Sequence, residues 1–206
     1  MARDTGPQCK QCRREGQKLF LKGERCMTEK CGVERRSYPP GEHGRGRVRA
    51  SEYRQQLREK QKTRRYYGVL EKQFRGYYEK ASRQPGVTGE NLLRMLERRF
   101  DNVLVRLGFA ASRRQARQMI NHGHWLINGR RVDIPSYQVR PDDVITIRPN
   151  SGAADVVRQA SELTAAVPPW LQADHDALTA KVLREPERSE ISAPVAEQLI
   201  VELYSK

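Results

Sequence analysis

Four cysteines stand as Cys9-x2-Cys12-x13-Cys26-x4-Cys31. Two close pairs separated by a loop of this length have the spacing of structural zinc sites, in which four thiolates complete a tetrahedron and leave no open position for a substrate. The second gap is four residues where two would be the commoner choice. The same donors suit a [4Fe–4S] cluster, and free or redox thiols are the remaining reading. Lys10, Arg13, Arg14, Arg25 and Lys30 surround the cysteines. These cations favour thiolates and offset the negative charge of a metal tetrathiolate, and they serve a phosphate equally well.

A second chemistry is written in arginine. Arg113, Arg114 and Arg117 fall on the first turns of a short helix, on one face, where backbone N–H groups add an anion site. His122, His124, Asn128, Arg130 and Arg131 adjoin that face if the hairpin that follows packs beside the helix, although either histidine is also at home as a turn residue. Upstream, Arg54, Arg58, Lys60, Lys62, Arg64 and Arg65 share one charged helix, whose readings are a phosphate-facing surface or a solvated helix with i,i+4 pairs. Arg35, Arg36, Arg45, Arg47 and Arg49 stand in a Gly- and Pro-rich stretch that lets backbone and guanidinium groups approach a polyanion, or serves as a basic linker.

The elements that must position these groups can be read from caps and periodicity. Residues 1–50 mix Cys, Gly, Pro and Arg with almost no apolar period, which predicts an irregular, metal-stapled arm. Ser51 caps a helix running to Gly68, and Leu70, Phe74, Tyr77 and Tyr78 mark one face of the next, which ends at Gln84-Pro85-Gly86. Leu92, Leu93, Leu96, Phe100, Val103, Leu104 and Leu107 form one continuous stripe, read as a single helix stopped by Gly108. Ser112 and Gln115 make a capping box for the short arginine-bearing helix. Asn128-Gly129 between apolar runs is a hairpin turn, and Val144 to Arg148 is a further strand. A helix over residues 154–165, a short strand near Leu178–Val182 and a terminal helix or strand from Val195 to Tyr204 complete the reading.

Composition narrows the partner. The chain has 206 residues with 39 Lys and Arg against 25 Asp and Glu, a net charge of +14. That excess is uneven: +7 over residues 1–50, +7 over 51–99, +4 over 100–150, and −4 beyond. A confined excess points to a polyanion, and the preponderance of Arg, whose planar fork binds phosphate bidentately and stacks on bases, favours RNA over a membrane surface. No apolar run approaches the ~18 residues of a membrane span, and the first residues lack the apolar core of a secretory signal, so reduced thiols in a cytoplasmic setting are expected. There is no Gly-Lys-Ser phosphate loop, Gly-x-Ser-x-Gly elbow or His-Glu-x-x-His, and Asp142-Asp143 and Asp174-His175-Asp176 read as turns. The expectation is a binding protein, not an enzyme.

The stretch Arg98-Arg99-Phe-Asp101 through Ser112-Arg-Arg-Gln-Ala-Arg117, Asn128-Gly-Arg-Arg and Pro135-Ser-Tyr resembles the RNA-binding module of the bacterial ribosomal protein S-four family. Tyr38-Pro-Pro-Gly-Glu-His-Gly, Leu57-Arg-Glu-Lys-Gln-Lys62, Tyr67-Gly-Val-Leu-Glu-Lys-Gln-Phe74 and the ending Glu197 to Lys206 resemble the same family, so the likeness covers nearly the whole chain. It implies an α+β fold: a helical domain of residues 46–91 with 177–206, a small helix-helix-hairpin-strand module inserted over 92–176, and the arm of residues 1–45. It implies a primary binder of small-subunit ribosomal RNA that engages the 5′ domain, nucleates assembly and contributes to translational accuracy. Implied partners are neighbouring small-subunit proteins and mRNA near the region where it enters the subunit, with no membrane. Only some members carry four N-terminal cysteines; the likeness carries a metal site to Cys9, Cys12, Cys26 and Cys31, for zinc or alternatively a [4Fe–4S] cluster. An RNA-modifying enzyme with the same module would need a further catalytic domain, for which the residues after 148 are too few.

Overall fold

The computed structural model describes residues 4–46, 49, 51–163 and 166–205; Arg47, one of the expected RNA contacts, lies outside them. The chain divides into two compact units, residues 1–93 with 193–206 and residues 94–192. Among the described residues no helix is long and apolar enough to cross a membrane.

In the first unit the arm is built of short helices, where its composition pointed to irregular chain: α1 (Gln8–Glu15), α2 (Gly32–Arg35) and 3₁₀ turns at Gly23–Cys26 and Glu42–Arg45. Gly16 ends α1 in the left-handed region, φ 69°, returning its N–H to Arg13 and Cys12 carbonyls. Cys12, Cys26 and Cys31 are buried, as are Leu19 and Leu21. Sulfur and two leucines therefore replace the apolar stripe that the arm lacks.

Helix α3 (Glu52–Tyr66) begins at the Ser51 cap, whose Oγ accepts the Arg54 N–H at 3.3 Å. It is followed by α4 (Glu71–Ser82). The C-terminal helix, α9 (Glu197–Tyr204), packs along α3. Gln56 donates to Glu202 at 3.1 Å, and the Tyr204 ring stacks on Tyr78 with centroids 4.5 Å apart. Tyr67, Phe74 and Ile200 are fully buried, each contributing about 1.5–3 kcal/mol. The division between the units falls inside α5 (Thr88–Glu97).

The second unit contains α6 (Phe100–Arg106), α7 (Arg113–Asn121) and α8 (Ala154–Ser161) with an antiparallel sheet. Its strands are β1 (Trp125–Ile127), β2 (Arg130–Arg131), β3 (Val144–Ile147), β4 (Leu171–Asp174) and β5 (Thr179–Val182), in spatial order β2-β1-β3-β5-β4. Ile127 pairs with Arg130 around Asn128 and Gly129, which both take positive φ (51° and 76°), the geometry of a type I′ turn. Phe109, Trp125, Ile145 and Trp170 belong to one buried cluster, with the Phe109 and Trp125 rings stacked at 5.4 Å.

Three differences from the sequence reading have clear causes. The stripe from Leu92 to Leu107 is two helices, because Arg99 turns extended (φ −64°, ψ 135°) and bridges Gln138. The backbone N–H groups freed there go to Tyr137 and Pro135 carbonyls, from Phe100 at 2.9 Å and Asp101 at 3.1 Å. Leu171–Asp174 is a strand that the sequence reading does not include; Pro168 and Pro169 stop just before its first ladder bond. Finally, β5 pairs with β3 and β4, so residues 177–192 belong to the second unit and only 193–206 to the helical one.

Candidate nucleic-acid interface

The four cysteines converge on one pocket, lined also by Leu21, Lys22, Arg25 and Lys30. All four are free thiols, Cys9 half-buried and the others buried. Burial pushes the Cys12 thiol above its ordinary value against the pull of the Leu19 backbone, and Cys26 rises for the same reason, opposed by the Lys22 N–H. Among the described residues, however, no three His, Cys, Asp or Glu side chains are drawn together into a ligand shell.

From this pocket α1 leads directly to the cations. Arg13 donates from Nε to the Tyr38 carbonyl at 3.0 Å and lies over the Tyr38 ring at 5.0 Å, and Arg14 reaches the Pro40 carbonyl at 3.3 Å. Arg45 covers the same ring at 4.5 Å, and its hydrogen bond holds the Tyr38 hydroxyl below the usual phenol range. The loop between needs its glycines: Gly41 has φ 106°, and a Cβ on Gly44 would overlap the Pro39 carbonyl. Arg14, Arg35, Arg36, Arg45 and Arg49 are exposed.

Along α3 the charge is largely spoken for. Arg58 lies 3.5 Å from Glu15, and Arg65 pairs with the same carboxylate, whose side chain is 2% exposed. Lys60 donates to Glu71 at 2.8 Å, Arg64 is 3.4 Å from Glu71, and Lys62 meets Glu59 at 2.6 Å. Arg54 is half-buried near the α3 N-terminus. Partly solvated pairs of this kind are worth about 0–1 kcal/mol, whereas a charge-assisted bond is worth about 1.5–3 kcal/mol. A phosphate can therefore draw Arg64 or Lys62 from its partner. Glu15, which the sequence reading missed, sits deep enough to hold Arg58 and Arg65 in place.

The arginine-bearing helix α7 begins as its sequence promises. Ser112 Oγ accepts the Gln115 N–H at 3.3 Å, while Gln115 Oε1 accepts from Ala111, one residue earlier than the reciprocal box requires. The three arginines then part company. Arg113 donates from Nε to Asn102 Oδ1 at 2.8 Å and Arg114 is half-buried, but Arg117 is buried with its Nε 3.2 Å from Asp101 Oδ2. Arg99 holds the other side of that carboxylate at 3.0 and 2.7 Å. Removing one member of such a buried set costs about 3–5 kcal/mol, more than a phosphate contact returns, so Arg117 stays inside.

Beside α7 the His122 ring is exposed, and His124 bonds through Nδ1 to Ser151 Oγ at 2.9 Å. The two rings are 6.0 Å apart. Burial, His122 and Arg148 together hold His124 below the ordinary imidazole range. Asn128 is occupied with the turn, donating to Asp143 at 2.9 Å and accepting the Val144 N–H at 2.9 Å. Arg130 and Arg131 stand exposed on β2. The surface of the second unit thus offers Arg113, Arg114, Arg130, Arg131 and two imidazoles, with Arg148 a cation near His124 that sequence reasoning overlooked because it follows a strand and belongs to no motif.

Comparison with known proteins accounts for the whole chain. Residues 3–97 match the Ribosomal protein S4/S9 N-terminal domain, and residues 98–145 match the S4 domain, which spans α6, α7, the hairpin and the start of β3. Small ribosomal subunit protein uS4 of Pelotomaculum thermopropionicum is 59% identical over 208 residues, covering 100% of both chains. Proteins of the same name from Desulforamulus reducens and Geobacter sp. (strain M21) are 58% and 57% identical with the same full coverage.

Proposed function

The chain belongs to the family of small ribosomal subunit protein uS4, and on that premise we propose that it is a structural, non-catalytic constituent of the cytoplasmic small ribosomal subunit, where it binds ribosomal RNA. The observation that carries the reading is that the likeness runs from end to end of both chains, so it embraces the arm, the helical unit and the RNA-binding module together. A module-bearing enzyme would share only the second unit.

The finer reading is that the protein engages the 5′ domain of that RNA early, nucleates assembly of the subunit body, contributes to translational accuracy, and adjoins neighbouring proteins and mRNA where it enters. The cations that contact RNA are the exposed Arg14, Arg35, Arg36, Arg45 and Arg49 of the arm and Arg130 and Arg131 of the module, joined by the half-buried Arg54 at the start of α3 and Arg113 and Arg114 of α7. Lys62 and Arg64 join them by exchanging weak carboxylate pairs for phosphate. Arg117 and Lys60 support the fold beneath them.

The proposal extends to the arm. Cys9, Cys12, Cys26 and Cys31 would hold a zinc ion, or alternatively a [4Fe–4S] cluster, as a closed structural site that fixes α1 and the turns around it. Their convergence on one pocket rimmed by Lys22, Arg25 and Lys30 supports this, since the cations offset the charge of four thiolates. Co-sedimentation with small ribosomal subunits at high salt tests the functional reading. The protein should remain with the small subunit, and release into the supernatant with the bulk of loosely bound protein would contradict it.

A further inference from the structure

Arginine accounts for phosphate but leaves one part of the second unit unexplained. We infer that the groove between α7 and α8, formed by Gln118, Met119, His122, His124, Ala153 and Val156, receives one unstacked nucleobase of the bound RNA, an inference that rests on the RNA-binding function proposed above. The groove has a volume of about 440 Å³, within the ~300–1,000 Å³ of small-ligand sites.

Its lining matches a heterocycle better than any other part of a nucleotide. None of the lining residues is acidic, and none is Lys or Arg, so the groove neither repels RNA nor supplies the fixed cations that a phosphate would select. Met119 and Ala153 are buried beneath it, and Val156 is 41% exposed at the rim, giving an apolar surface for an aromatic face. Around it stand groups able to meet a base edge: the exposed amide of Gln118 and two imidazoles 6.0 Å apart and inclined by 51°. Ser151 fixes one of these rings through its 2.9 Å contact with His124 Nδ1. Bases splayed from single-stranded RNA are held in this way, by stacking on flat side chains and by hydrogen bonds to their edges. Gly152 closes the far side without a side chain, and a Cβ there would meet nothing within 4 Å, so the approach is open. Arg113 and Arg114 begin the helix that supplies Gln118, Met119 and His122, and Arg148 acts electrostatically on His124, so the elements that line the groove also carry cations for phosphate.

The test is titration of the full chain with small-subunit ribosomal RNA at several salt concentrations, paired with ultraviolet cross-linking and mass spectrometry. The double variant Gln118→Ala, His122→Ala should bind about tenfold more weakly, as loss of two hydrogen bonds to a base edge does, with an unchanged slope of log K against log salt because no Lys or Arg has been removed. Val156→Asp, at an exposed position, should weaken binding comparably while thermal unfolding stays near that of the wild type. A base adduct should map to residues 118–124 or 152–156. Intact affinity of both variants with no such adduct would overturn the inference and leave RNA binding standing, the outcome expected if the groove holds a protein segment instead. Weakened binding with a flatter salt slope would also overturn it, marking an ionic contact. Failure of the wild-type chain to bind the RNA would overturn the functional reading and this inference with it.

Discussion

Arg117 of α7 faces Asp101 of α6 inside the second unit, guanidinium Nε 3.2 Å from carboxylate Oδ2, while Arg99 grips the same carboxylate from the other side at 3.0 and 2.7 Å. Asp101 also spends its backbone N–H on the Pro135 carbonyl at 3.1 Å. One buried residue therefore joins the break before α6 and the helix that carries Arg113 and Arg114 through its carboxylate, and the segment after the hairpin through its backbone N–H.

Replacing Arg117 by Gln should accordingly act on stability first. It leaves Asp101 buried with part of its charge unmatched, a loss of about 3–5 kcal/mol. Urea unfolding would register it as a lower midpoint with the same slope. A variant as stable as the wild type would contradict the structural role given to this residue.

Glu71 gives a pH signature to the first unit. Burial alone would raise its pKa, but hydrogen bonds from Lys60 and Tyr204, with the charges of Lys60 and Arg64, bring it below the ordinary 4.5. A depressed carboxylate stabilises the fold above its unfolded pKa, and that stability is lost as pH falls through the lower folded value. Glu71→Gln should thus be less stable than the wild type at pH 7, and the gap should close below pH 4.5. A gap independent of pH would show that the carboxylate charge is not what matters.

The metal site proposed for the arm has a direct test. If the four thiols hold an ion, elemental analysis should find about one zinc, or about four iron, per chain, and a chelator should speed hydrogen exchange over residues 8–35. The thiols should resist alkylation until the metal is removed. Metal-free native protein with four readily alkylated cysteines would refute the site.

Much of this architecture is legible in the sequence because local chemistry dictates it. Ser51 and Ser112 cap the helices they announce, and Asn128-Gly129 turns the hairpin with both residues at positive φ. What escapes is decided by partners distant in sequence. The apolar stripe continues straight through Arg99, since periodicity records which side chains are buried but not that residues 135–138 will capture the backbone there. In the same way, helical spacing puts Arg117 beside Arg113, yet only Asp101, sixteen residues earlier, decides that it turns inward. The basic reading of α3 likewise overlooks Glu15, an acid in the arm whose burial becomes apparent only once α1 and Arg58 are brought together.

Exposed arginines on the hairpin should behave oppositely to Arg117. Arg130→Gln with Arg131→Gln removes two cations from solvent, so unfolding should change by no more than about 0.5 kcal/mol. The slope of log K against log salt for small-subunit ribosomal RNA should flatten by about 1.5–2, as two fewer counterions are released. An unchanged slope would take β2 out of the interface.

The most direct test of the account is a map of RNA–protein cross-links in intact small subunits. Cross-links to ribosomal RNA are expected on cations of both units, at the exposed Arg35, Arg36 and Arg45 in the arm and at the half-buried Arg113 and Arg114 and the exposed Arg130 and Arg131 in the module, with none on the buried Arg99 or Arg117. Cross-links confined to residues 171–205, or their absence from the chain altogether, would contradict it.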